Sequence, residues 1–241
     1  MPLSIERILD HQVRLWHILS ELDHETGSEA PAPLRPVFTL SRQLGCDHDV
    51  IARGLAARLG LQVHGRSLID AVARDEGLKQ RVAESLDERT RSELDIWVES
   101  LLDRRLFSHD VFHMALVRVV RTLANHGGMV FIGRGANLIL EGTDCLRIRI
   151  IASRDTRVAK VARFLRVDAK TAIRMIDESD RKRTAFIRKL FRADWSDPEA
   201  YDIVLNTDLL KPVRLVDVII ETARARGLFT DTPSATTAAQ A

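Results

Sequence analysis

The sequence predicts an α/β protein: a parallel five-stranded sheet with helices on both faces, preceded by an added N-terminal helix. Three observations predict it. Short apolar runs of strand length alternate with longer segments of helical spacing through the middle of the chain. The runs are near-continuous, as in strands covered on both faces. Turn residues punctuate them, most clearly the glycines on either side of residues 129–132.

Taken in order, residues 3–23 place Ile5, Ile8, Leu9, Val13, Trp16, Leu19 and Leu22 at helical spacing. Residues 27–36 then hold Gly, Ser, Ala and three prolines, a linker composition. Residues 1–34 are therefore an addition, packed on the main domain or pairing two copies into a homodimer. The main domain runs over 35–229. Its first strand is expected at 37–40, a helix at 49–59, and a second strand at 61–64. A helical stretch follows at 68–125. Strands are expected again at 129–132, 146–152 and 203–205, and a last helix at 213–226. Residues 230–241 are small and polar and read as a disordered tail.

Apolar residues make up 45% of the chain and charged residues 29%, which suits an ordinary core under a solvated surface. A net charge of +2 argues against a nucleic-acid partner. Cys46 and Cys145 lie far apart with no CxxC pattern, as expected of free thiols in a reducing compartment. No run approaches 18 apolar residues and the N-terminus lacks signal-peptide features, so the expectation is a cytoplasmic protein without a membrane span.

Ligands of parallel sheets sit at the carboxyl ends of the strands, which directs attention to the loops after Leu40, Ile132, Ala152 and Leu205. After Leu40 a strand turns through a loop into a helix, the geometry in which backbone N–H groups hold phosphate. The full motif G-x-x-x-x-G-K-[ST] is absent there. A looser match from Gly60 to Ser67 follows an amphipathic helix instead of a buried strand. Gly60 is better read as that helix's C-cap.

Ser41-Arg42-x-x-Gly45, then Ile51-Ala52, Leu55-Ala56 and Leu59-Gly60, resembles the opening of the cytidylate kinase-like family within the P-loop nucleoside monophosphate kinases. Gly133-Arg134-Gly135-Ala136 resembles its segment after the third strand. Asp180-x-x-Arg183 and Asp194-Trp195-x-Asp197-Pro198-x-x-Tyr201-Asp202-x-x-x-Asn206-Thr207 resemble its lid region and last strand. The resemblance spans about 36–227. It implies a P-loop nucleotide kinase-like fold moving a phosphoryl group from ATP, with Mg²⁺, to CMP or a related nucleotide. It further implies that the donor phosphates lie over Ser41, Arg42, Gly45, Cys46, Asp47, His48 and Asp49. Arg134 would hold the acceptor phosphate, and Arg183 and Arg188 would act as catalytic lid cations.

One departure from the family pattern keeps a second reading open. Cys46, Asp47, His48 and Asp49 stand where the family has S-G-G-R. Glycines there allow close backbone approach, whereas each carboxylate about 4 Å from a phosphate charge costs ~1 kcal/mol in water and ~4 kcal/mol at an effective dielectric of ~20. Asp47 or Asp49 can instead cap the helix, or hold Mg²⁺ and so reverse the local charge, and His48 can be protonated beside them. The chain then reads either as an active kinase or as a non-catalytic relative, a nucleotide sensor or interaction module. Alternative roles also stand for Arg134, as a surface arginine in a glycine turn, and for the basic run Arg181, Lys182, Arg183, Arg188, Lys189 and Arg192, as a solvated helix face. Arg157 is a further candidate cation. His109 and His113 are four apart but lack a third ligand to share a metal.

Overall fold

A computed structural model of the 241-residue chain describes residues 35–66, 69–70, 76–77, 80, 84 and 111–229. The expected N-terminal helix, most of the 68–125 stretch and the tail lie outside the described residues. So does any pairing of copies through that helix.

Five strands form one sheet: β1 (Val37–Arg42), β2 (Gln62–His64), β3 (Met129–Ile132), β4 (Cys145–Ile151) and β5 (Ile203–Asn206). Their order is β2-β3-β1-β4-β5 and every pairing is parallel. β1 outruns its apolar stretch by two residues, because Ser41 and Arg42 continue the ladder opposite Arg149 and Ile150 of β4. Backbone pairing carries the strand where side-chain hydrophobicity has already stopped. β2 and β4 shift from their expected bounds, and β5 extends to Asn206.

The helices are α1 (His48–Leu59), α2 (Val111–Asn125), α3 (Ala136–Ile139), α4 (Arg154–Leu165), α5 (Ala169–Phe191) and α6 (Pro212–Ala225), with a 3₁₀ turn at Pro198–Ala200. Gly60 closes α1 in the left-handed conformation, φ 63°, its N–H bonded to the Ala56 carbonyl, as the sequence suggested. Ser153 and Asp168 cap α4 and α5 by accepting from Thr156 N and Thr171 N.

Alternation along the strands divides the interior into two layers. Val37, Met129, Phe131 and Cys145 face α2, α3 and the end of α5. Phe38, Leu40, Val130, Ile132, Leu146 and Ile148 face α1 and α6. A third, smaller cluster joins α4 to α5 through Val161, Ala172 and Ile176, and Leu44 of the β1–α1 loop inserts into it. The α4–α5 hairpin is thus fastened to that loop. No helix among the described residues is long and apolar enough to cross a membrane.

Candidate functional site

At the carboxyl ends of β1 and β3 the chain leaves in different directions, and a cavity of about 320 Å³ opens there. Ser41, Arg42, Arg134, Arg183, Phe186 and Trp195 are among its walls. Its described lining holds five cations, Arg66 and Lys182 being the others, and no carboxylate. β1 delivers Arg42, the turn after β3 delivers Arg134, and α5 delivers Lys182 and Arg183.

These cations differ in how they are balanced. Arg134, at φ 58° between two left-handed glycines, ion-pairs with Asp70 and lies 4.7 Å from the Phe186 ring centroid. Asp70 also meets Arg66 Nε at 3.4 Å. Arg183 donates to Ser179 Oγ and lies 3.7 Å from Asp180. Arg42 has neither hydrogen-bond nor ion-pair partner among the described residues, and its Nε is fully buried and unsatisfied. Burial, then Arg183, pushes its guanidinium down to about 10. Arg183 is lowered in the same direction, chiefly by burial. A cluster of this kind attracts an anion, because a bound phosphate would satisfy buried donors that the fold leaves open.

The wall below is fixed by a buried polar network. The register sets Ser41 beside Arg149 on one sheet face. Arg149 donates to the Trp195 carbonyl and, at 3.2 Å, to Tyr201 Oη, and lies 4.5 Å from the Trp195 ring centroid. Trp195 Nε1 donates to Ser41 Oγ at 2.9 Å, and Tyr201 Oη donates to the Trp195 carbonyl at 2.9 Å. Ser41 is therefore engaged in holding the 194–201 segment against β1.

The β1–α1 loop lies to the other side. Gly45 takes φ 87° and Asp47 φ 53°. Among the described residues nothing accepts from the amides of Leu44, Gly45, Cys46, Asp47 or Asp49. Asp47 stands at the N-cap position of α1 but its side chain caps no N–H, and pairs with Lys160 of α4 instead. The left-handed backbone at Asp47 explains this, since a capping side chain requires an extended N-cap residue. His48 does not become a cation: burial and then Arg42 push its imidazole down to about 4, despite Asp49 at 3.2 Å. Burial raises the Cys46 thiol to about 11, so its place at a helix start does not activate it. Both cysteines are free and buried.

Of the residues singled out in the sequence, Ser41, Arg42, Arg134 and Arg183 meet at one cavity. Gly45, Cys46, Asp47, His48 and Asp49 form the neighbouring loop. Arg188 does not reach the cavity and lines an open surface depression with Arg174, Asp177 and Arg181. Arg157 is buried, donating to the Leu44 carbonyl at 2.9 Å and pairing with Asp180 at 2.6 Å. His113 packs edge-on against Phe191, His109 lies outside the described residues, and no described group of three ligands suits a metal. Sequence reasoning passed over Asp70, Lys160, Asn137 and Phe186, and set Arg66 aside with the rejected match at 60–67. Phe186 carried a signal, lying three residues after Arg183 on the same helix face.

A parallel sheet in this order, with a strand–loop–helix beside β1 and helices on both faces, is the architecture of the P-loop kinases. Within that class, the Cytidylate kinase-like family model matches residues 37–209, and the chain belongs to that family. It is 29% identical over 94 residues to the cytidylate kinase of Thermoplasma acidophilum, a match covering 38% of this chain and 50% of that one. The chain thus spans about half the length of this curated relative. Among solved structures, an uncharacterized protein from Eubacterium ventriosum superposes at TM-score 0.65, with 22% identity over 80% of this chain and 99% of its own. Shikimate kinase from Acinetobacter baumannii superposes at TM-score 0.44, with 12% identity over 80% of this chain and 96% of its own.

Proposed function

We propose that the protein binds a nucleoside monophosphate, CMP or a close analogue, in the cavity at the ends of β1 and β3. It then transfers to that acceptor the terminal phosphoryl group of ATP. The observation that carries this reading is Arg42, a half-buried guanidinium without a described partner on a wall it shares with Arg134 and Arg183. Arg134 would take the acceptor phosphate, exchanging Asp70 for it. Arg183 would neutralise charge on the phosphoryl group in transit, and the amides of residues 44–47 would face the donor phosphates. Catalysis then consists of positioning and charge neutralisation, with no covalent intermediate. Arg188, facing elsewhere, has no part in this reading.

Mg²⁺ is bound in such sites by one or two carboxylates together with substrate phosphates. The exposed Asp49 carboxylate fits that need without a dedicated cage, and Mg²⁺ would supply neutralisation of the donor's charge. One observation favours a second reading, a nucleotide sensor without turnover: the loop carries two acids where the donor's anionic groups would come. A coupled ADP-release assay with ATP, Mg²⁺ and a panel of monophosphates separates them. Conversion of CMP to CDP is expected. CMP binding without ADP release would leave the sensor.

A further inference from the structure

We propose that Lys160, carried on α4, supplies the β1–α1 loop with the lysine that its own sequence lacks. This rests on the donor half of the function proposed above. In the complete phosphate-loop motif a lysine at the helix start reaches the β- and γ-phosphates. Here the helix starts at His48, which stays neutral, and Arg42, the last residue of β1, faces the acceptor cavity.

The fold brings a replacement from outside. α4 lies directly on the loop: a Cβ at Gly45 would come 2.9 Å from the Arg157 carbonyl oxygen and 3.2 Å from Val161 Cγ2. Leu44 packs into the α4–α5 cluster beside Val158 and Ala162. Arg157 is committed to the Leu44 carbonyl and to Asp180 and its side chain is only 5% exposed, which keeps it from a ligand. Three residues on, and so on the same helix face, Lys160 extends its ammonium to Asp47, the residue just before the helix start. The Asp47 carboxylate then occupies the place of a phosphate oxygen. Both side chains remain about one-third exposed, at 33% and 31%, so an incoming polyphosphate can take over the ammonium without unfolding the loop. A flexible stem ending in a point charge suits that exchange.

The test is titration calorimetry with MgATP, and separately with CMP. The proteins are wild type, Lys160→Met, Lys160→Arg, Asp47→Gly and the double variant Asp47→Gly/Lys160→Met. Lys160→Met is expected to weaken MgATP about tenfold or more while CMP stays within about twofold, and Lys160→Arg to retain most of the affinity. Asp47→Gly is expected to tighten MgATP, and the double variant to lose that gain. Equal MgATP affinity in wild type and Lys160→Met would overturn the inference alone, leaving Lys160 as a partner of Asp47. A parallel loss of CMP binding in Lys160→Met would also overturn it, as a structural effect. If CMP binds but MgATP binds neither wild type nor Asp47→Gly, the donor half of the proposed function fails and the role of Lys160 fails with it.

Discussion

The cavity at the ends of β1 and β3 and the loop beside it differ in how their charge is balanced. Among the described residues the cavity lining has cations and no acid, and the buried Nε of Arg42 has no partner. In the loop the charge of Asp47 is met by Lys160 of α4, while His48 beside the exposed Asp49 stays neutral. The difference teaches that within one strand–loop–helix unit the two half-sites have separate electrostatic fates. One asks for an external anion and the other holds an internal substitute. Acids in the loop therefore leave the cationic lining of the cavity as it is.

The strongest way to break the cavity side is steric. Gly135 sits at φ 70°, and a Cβ there would lie inside the envelope of the Phe191 ring. Gly135→Ala combines left-handed strain with overpacking and should cost about 3 kcal/mol of stability in urea titrations. Gly60→Ala, at φ 63° with nothing within 4 Å, is the matched control and should cost only about 1 kcal/mol. Equal losses would show that Phe191 yields and that the rim is soft.

Next in size is recognition. Arg134→Ala should weaken CMP about 10- to 100-fold by calorimetry, the loss of about 1.5–3 kcal/mol from charge-assisted bonds. An unchanged affinity would leave Arg134 as no more than the partner of Asp70.

A smaller effect sharpens the contrast through pH. His64 at the end of β2 is wholly buried, neither ring nitrogen has a partner among the described residues, and burial pushes its pKa down to about 4. The unfolded chain, near 6.5, binds the proton more readily. The stability due to neutral His64 is thus whole above about pH 6.5 and is lost as pH falls toward 4. His64→Phe should flatten that decline by on the order of 1–2 kcal/mol, leaving the part owed to His48, whose shift has the same sign. An acid limb unchanged in His64→Phe would contradict this. Smallest of all, Asp49→Asn should weaken MgATP about fivefold through loss of a metal ligand, while ATP without Mg²⁺ binds as before.

Much of the sheet was legible because a buried strand needs apolar side chains on both faces, and 129–132 announces itself on that ground alone. The polar ends of β1 and β5 were not, since Ser41, Arg42 and Asn206 join the ladder through their backbones. In the site, Arg42, Arg134 and Arg183 could be singled out by family resemblance and their converging loops. Their balance could not, because Asp70 and Lys160 meet Arg134 and Asp47 across 64 and 113 residues of chain. The joint assignment of Arg183 and Arg188 overlooked helical phase: five residues turn about 140° around the axis, so the two side chains diverge. Phe186 and Ile187, three and four residues on, share the cavity with Arg183.

The most direct measurement is CMP binding to wild type and to Arg42→Met, followed by calorimetry and, without ligand, by thermal unfolding. A half-buried guanidinium kept for an anion should, when replaced by an apolar chain of similar length, raise Tm in the free protein while CMP affinity falls about 30-fold or more. CMP binding equally well to Arg42→Met, or a lowered Tm with affinity intact, would contradict the account and make Arg42 part of the scaffold.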